Sequence, residues 1–303
     1  ETGFGGVTSG SNYSVTPLAL SGVTIANASS VYGSALTPGS VSFGGVLSGD
    51  VVNGGVASVV LPSGSTSSGG YTKAGNYFQS VSVSGLSGAD AGNYAFSGGT
   101  SFTSGSANYS VTPLALSGVT IGSGSSVYGS ALTPGSVSFG GVLSGDVVNG
   151  GVASVVLPSG STSSGGYTKA GNYFQSVSVS GLSGADAGNY AFSGGTSFTS
   201  GSANYSVTPL ALSGVTIGSG SSVYGSALTP GSVSFSGSTK LANDVLSGVA
   251  SVNVGTLSGS GKAVVGSYTQ SVSGLSGADA GNYSFGGVTS GANYSVTPLA
   301  LSG

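Results

Sequence analysis

Cysteine, histidine, arginine, methionine and tryptophan are all missing from this 303-residue chain, and only 4 Lys and 7 Asp or Glu carry charge. Charged residues make up 4% of the chain, where soluble domains usually hold about 25%. Without His or Cys there is no imidazole base, no thiolate nucleophile and no ordinary transition-metal site. Serines abound but none has a base, so the chain reads as non-enzymatic. Four scattered lysines cannot supply the phosphate contacts on which nucleic-acid binding rests. No apolar run approaches the roughly 18 residues of a membrane helix, and membrane insertion is not expected. The missing cysteines fit a secreted bacterial surface protein that crosses a secretion pore unbridged.

What is present is small, apolar and repetitive. Sixty glycines stand beside 15 Tyr and 11 Phe, and 38% of the chain is hydrophobic. Apolar residues alternate with small polar ones, which argues for folding rather than disorder. The phrase NYSVTPLALSG starts at Asn12, Asn108, Asn204 and Asn293. Division at its Pro-Leu step gives repeats at 18–113, 114–209 and 210–298. Residues 1–17 then read as the tail of a preceding repeat and 299–303 as the start of a following one. Glu1-Thr2-Gly3 breaks the match and reads as an appended scar. Repeats 1 and 2 differ only where Ala26, Asn27 and Ala28 become Gly122, Ser123 and Gly124. Repeat 3 keeps both ends and rewrites its middle from Ser236 to about Gln270, leaving its middle strands open.

Within a repeat the strand signal has period two, as in SVSVSG (Val177 and Val179) and SVSF (Val137 and Phe139). Turn-forming Gly, Asn, Asp, Ser and Pro separate such runs every 8–12 residues or so, the spacing of an antiparallel sandwich. No stretch holds a helical apolar period. The expected fold is all-β: tandem Ig-like antiparallel β-sandwich repeats forming an elongated rod. For repeat 2 the expected core is Val119, Ile121, Val137, Phe139, Val152, Val177, Val179, Tyr190, Phe192, Tyr205 and Val207. The prolines Pro17, Pro113, Pro209 and Pro298 fix φ where one repeat runs into the next without a spacer.

The phrase ADAGNY recurs in each repeat and fits the tyrosine corner of Ig-like sandwiches. Its residues are Asp90, Gly92 and Tyr94; Asp186, Gly188 and Tyr190; and Asp279, Gly281 and Tyr283. On this reading each Asp accepts from backbone two residues on, each Gly takes positive φ, and each Tyr hydroxyl bonds back to upstream backbone.

VYGSAL, FGGVLSGDVV, KAGNY, SVSGLSGADAGNY and NYSVTP together resemble the MBG/YDG-type repeats of very large Gram-negative, filamentous-haemagglutinin-like adhesins. The resemblance runs through Tyr32, Asp50, Gly75–Tyr77 and Asp90–Tyr94 in repeat 1. In repeat 2 it runs through Tyr128, Asp146, Gly171–Tyr173 and Asp186–Tyr190; in repeat 3 the stretch around Lys240–Asp244 departs from it. It implies a stalk of Ig-like modules, exported by two-partner secretion to the outside of the outer membrane, that holds an adhesive tip away from the cell in biofilm or surface attachment.

Other readings stand beside the passive stalk. Asp50 with Asp90, and Asp146 with Asp186, are candidates for calcium, although two carboxylates per repeat fall short of its usual ligand set; no other cofactor is expected. Lys73 and Lys169 are candidates for isopeptide cross-links, set against a plain solvated turn. Asn12, Asn27, Asn108, Asn204, Asn282 and Asn293 open glycosylation triplets, which turn asparagines explain equally. Exposed tyrosines and a Ser/Thr/Asn surface suit an exopolysaccharide partner. Identical chains are another candidate partner, since little charge guards the edge strands. Neighbouring repeats of the same chain are the remaining partners.

Overall fold

The computed structural model describes residues 5–301; Glu1-Thr2-Gly3, expected from the sequence to be an appended scar, lies outside them. The described residues form an all-β protein of short strands and small sheets, and their helical content is three single 3₁₀ turns. In repeat 1 the strands are β1 (Leu18–Ala19), β2 (Ser21–Ile25), β3 (Ala28–Val31), β4 (Val41–Gly44), β5 (Ser58–Val59), β6 (Gly75–Tyr77), β7 (Gln79–Ser82), β8 (Tyr94–Ala95), β9 (Ser101–Thr103) and β10 (Tyr109–Thr112). The same order recurs in repeats 2 and 3. The rewritten middle of repeat 3 therefore keeps its strands, at Ser251–Val252 and Gly266–Tyr268.

Pairing departs from the purely antiparallel expectation. Antiparallel ladders join β2 to β4 and β7 to both β5 and β9. The last strand β10 pairs antiparallel with β6 but parallel with β3, and β1 lies parallel to β8. Each parallel pair joins a strand that opens the repeat to one that closes it, and the long intervening chain provides the crossover that parallel pairing needs.

Alternation places the core. On β7, Gln79 and Val81 are buried while Ser82 faces solvent. Leu20, Ile25, Phe43, Ala57, Val81, Val83 and Tyr94 form one cluster, edged by Phe96 and Phe102. Of the core expected for repeat 2, Ile121, Phe139, Val177, Val179, Tyr190, Tyr205 and Val207 are buried, and Val119, Val137 and Phe192 are half-buried. Val152 is a correction: it is 88% exposed, because its neighbour Ala153 takes the inward position. Period two sends adjacent residues to opposite faces.

Sequence repeats and compact units do not coincide. One unit holds the residues up to Gly118 with Phe139–Gly150 and Gly181–Gly194; the other holds Val119–Ser138, Gly151–Ser180 and the residues from Gly195 on. Each unit thus contains one whole junction between successive repeats.

Candidate functional site

At the first junction, strand Tyr109–Thr112 ends at Pro113 and Leu114–Ala115 begins at once, parallel to Tyr190–Ala191. Pro209 stands likewise between Tyr205–Thr208 and Leu210–Ala211. Proline has no N–H to donate, so it suits the step where the chain leaves one ladder for another.

The feature sequence reasoning missed lies beside this step. Asp146 of repeat 2 accepts from four donors. Tyr32 of repeat 1 donates its hydroxyl to Oδ2, and Tyr190 donates to the same oxygen at 2.6 Å. On Oδ1 it accepts from Ser67 Oγ at 2.9 Å and the Gly69 N–H at 2.8 Å. The two rings meet edge to face with centroids 5.2 Å apart, and Tyr71 packs on Tyr32 at 5.9 Å. Tyr32 is 1% exposed.

The second junction repeats the arrangement. Asp244 accepts from Tyr128 Oη at 2.6 Å, Tyr283 Oη at 2.5 Å, Ser163 Oγ at 3.3 Å and the Gly165 N–H at 3.0 Å. Leu241–Asp244 therefore does the work of Leu143–Asp146 despite the rewritten sequence. The surviving signal is Leu-x-x-Asp with a residue of positive φ before the Asp. Gly145 has φ 88° and Asn243 has φ 64°, and Asn is the side chain that best tolerates that region.

The ADAGNY phrase completes the same contact and corrects the expected corner. Tyr94 Oη does accept from upstream backbone, the Leu47 N–H at 3.0 Å, but it also donates to Asp50 Oδ2 at 2.6 Å. Asp90 Oδ2 accepts from the Val51 N–H instead of from backbone two residues on. Gly92 lies inside a 3₁₀ turn, Ala91–Asn93, so its φ is ordinary; the positive φ belongs to Gly88 at 111°. Gly188 and Gly281 occupy the matching turns Ala187–Asn189 and Ala280–Asn282.

In repeats 2 and 3 the phrase also reaches the preceding repeat. Asp186 Oδ1 accepts from the Ser68 N–H and Asn189 Oδ1 from the Ala74 N–H. Asp279 and Asn282 do the same with Ser164 and Ala170. Asp186, Asn189, Asp279 and Asn282 are all buried.

The electrostatics follow from this donor set. Burial pushes the Asp146 carboxyl upward, but the Tyr190 and Tyr32 hydroxyls, the Gly69 N–H and Ser67 outweigh it and hold it below the usual carboxylate range. Backbone N–H groups of Val147 and Ser68 hold Asp186 low as well. Burial, then the bond to Asp146, pushes Tyr190 up to about 12, and Tyr32 is raised for the same reasons. An ionised carboxylate facing neutral phenols is the stable state.

The other candidates find structural roles. The calcium candidates Asp50, Asp90, Asp146 and Asp186 accept from O–H and N–H donors, which a cation would have to displace. Among the described residues no group of three or more acidic, His or Cys side chains gathers. Lys73 and Lys169 donate to the carbonyls of Gly64 and Gly160 in their own hairpins. Asn108 donates to Ile25 O and accepts from Gln79 Nε2, so its amide is engaged inside the fold, as are those of Asn204 and Asn293. Asn12 sits exposed with Ser9 as its partner.

No family model, curated protein or solved structure matches the chain.

Proposed function

We propose that the chain is a stalk segment of a large secreted bacterial adhesin, spacing an adhesive tip from the cell surface in biofilm or surface attachment, with no catalytic role. One observation carries this reading. The polar residues that the repeats share serve to clamp one repeat onto the next, through a carboxylate with four donors beside a single-proline connection. A tandem protein that transmits force needs such junctions more than it needs open sites. The sequence resemblance to adhesin repeats points the same way.

A second reading, that the repeats themselves hold matrix polysaccharide, is favoured by the outer face of the β3-β10-β6 sheet. There Ser110 stands between Ser29 and Asn76, beside an open groove of about 400 Å³ of mixed polar and apolar lining. Repeat 3 bears a matching groove of about 630 Å³ lined by Ser219, Ser221, Ser267 and Ser295.

Binding of the chain to extracellular polysaccharide, with and without calcium, separates the two. The stalk reading expects no saturable binding in either condition and no change of melting temperature with calcium. Saturable binding lost on Ser110→Lys and Ser295→Lys would replace it with the adhesive reading.

A further inference from the structure

Oxidation has few places to end in this chain. Cysteine, methionine, tryptophan and histidine, the side chains that oxidants consume most readily, are all absent. Tyrosine is the most easily oxidised side chain that remains, and there are 15.

At the first junction three tyrosines stand in a row. Tyr71 is half-buried, its ring meets Tyr32 edge to face at 5.9 Å, and Tyr32 meets Tyr190 edge to face at 5.2 Å. Tyr32 and Tyr190 are both buried, so the outer ring is the route by which an electron can leave them. The second junction has the same row: Tyr167, half-buried, meets Tyr128 at 5.9 Å, and Tyr128 meets Tyr283 at 5.4 Å.

The inner pair differs from an ordinary aromatic contact in its acceptor. Both hydroxyls donate to a single oxygen, Asp146 Oδ2 at the first junction and Asp244 Oδ2 at the second. A phenol gives up an electron far more readily when its proton can leave at the same time, and here one carboxylate is within proton-transfer reach of both phenols. Sharing an acceptor also turns the two C–O groups, and with them the neighbouring ortho carbons, toward a common point. Those ortho carbons carry much of the unpaired electron of a tyrosyl radical, and holding two such centres together favours their coupling.

We propose that Tyr32 with Tyr190, and Tyr128 with Tyr283, are sites of oxidative cross-linking, where two equivalents of a one-electron oxidant join consecutive repeats through a dityrosine bond. Each phenol loses one electron to the oxidant by way of Tyr71 or Tyr167, and its hydroxyl proton to the shared carboxylate, which passes it to water. The two radicals form one bond between ortho carbons. The two ortho hydrogens then move to the oxygens and restore both phenols. In all, two electrons and two protons leave the protein, and two equivalents of oxidant are reduced. This chemistry rests on the junction geometry alone; in a stalk it makes covalent a contact otherwise held by hydrogen bonds.

The test oxidises the whole chain, at high dilution, with light, ruthenium tris-bipyridine and persulfate, which accepts two electrons per molecule. Monomer is recovered and cut by trypsin after Lys73, Lys169, Lys240 and Lys262. Mass spectrometry is expected to find residues 1–73 joined to 170–240, and 74–169 joined to 263–303, each product two hydrogens lighter than its parts. Fragment spectra are expected to place the bonds at Tyr32–Tyr190 and Tyr128–Tyr283, and not at exposed Tyr13. Tyr190→Phe is expected to remove the first product and keep the second, which reports in the same molecule that the chain has folded. Tyr71→Phe keeps the packing and is expected to slow the first cross-link relative to the second. The inference is overturned if neither product forms, if urea-unfolded chain gives them equally well, if Tyr190→Phe retains the first, or if Tyr71→Phe leaves their relative rates unchanged. None of these outcomes bears on polysaccharide binding, so failure here leaves the stalk reading standing.

Discussion

A carboxylate with four donors is an unusual place for the few charges in this protein. Asp146 answers two phenols, a serine and a backbone amide, and each charge-assisted bond contributes more than a neutral one. Asp146→Asn is expected to cost about 2–3 kcal/mol in denaturant unfolding, because the donors lose their charged acceptor. Asp50→Asn, in an identical local sequence but with the Tyr94 hydroxyl as its donor, is expected to cost clearly less; equal losses would show that the cross-repeat donors contribute nothing.

The pH dependence has a definite sign at both ends. Asp146 is held low, so its contribution is complete above the unfolded value of about 3.9 and disappears as pH falls through its folded value. Tyr190 is raised to about 12, so its contribution is complete below the unfolded value of about 10 and is lost as pH rises toward 12. Stability followed by near-ultraviolet absorbance is therefore expected to stay level between about pH 4 and pH 10 and to fall outside that window. Tyrosine ionisation proceeding normally at pH 10 would contradict it.

At the level of elements, short strands are joined by side chains as much as by ladders. Buried Gln175 accepts from the Gly135 N–H and donates to Gly122 O and Asn204 Oδ1. Gln79 and Gln270 make the matching bonds in repeats 1 and 3. Gln175→Leu keeps the bulk but takes the side-chain amide from three half-buried partners, and calorimetry should register a loss of about 2–3 kcal/mol. The glutamine was not legible in the sequence. It occupies an inward position of a period-two strand, where alternation predicts an apolar residue, and its partners lie tens of residues away. The strands themselves were legible, since β7 and its copies alternate cleanly. Val152 misled because both it and Ala153 are apolar, and a lone pair of adjacent apolar residues does not reveal which one faces in.

For the whole molecule, the compact units are built around junctions rather than around sequence repeats. Repeat 2 contributes Asp146, Asp186 and Tyr190 to one unit and Tyr128, Ser163 and Gly165 to the other. Excised as residues 114–209 it leaves all six without their cross-repeat partners. Its melting temperature is expected to fall below that of the full chain by several degrees; an unchanged value would show that the repeats are thermodynamically independent. Hydrogen exchange on Asp146→Asn should lose protection together at Gly69–Ala74 and at Ala187–Asn189, which belong to different repeats.

Composition and periodicity alone determined the all-β class and the exclusion of imidazole and thiolate chemistry, because these follow from which side chains exist and how they alternate. The sequence also singled out Asp90, Tyr94 and their copies, but as a lock within one repeat. Only the tertiary structure decided that Tyr32 and Asp146, 114 residues apart, meet, and that Asp244 inherits the role through a rewritten loop. The physical reason is that a donor and an acceptor separated by a whole repeat leave no local pattern: each reads as an ordinary turn residue until the fold brings the two loops into hydrogen-bonding distance.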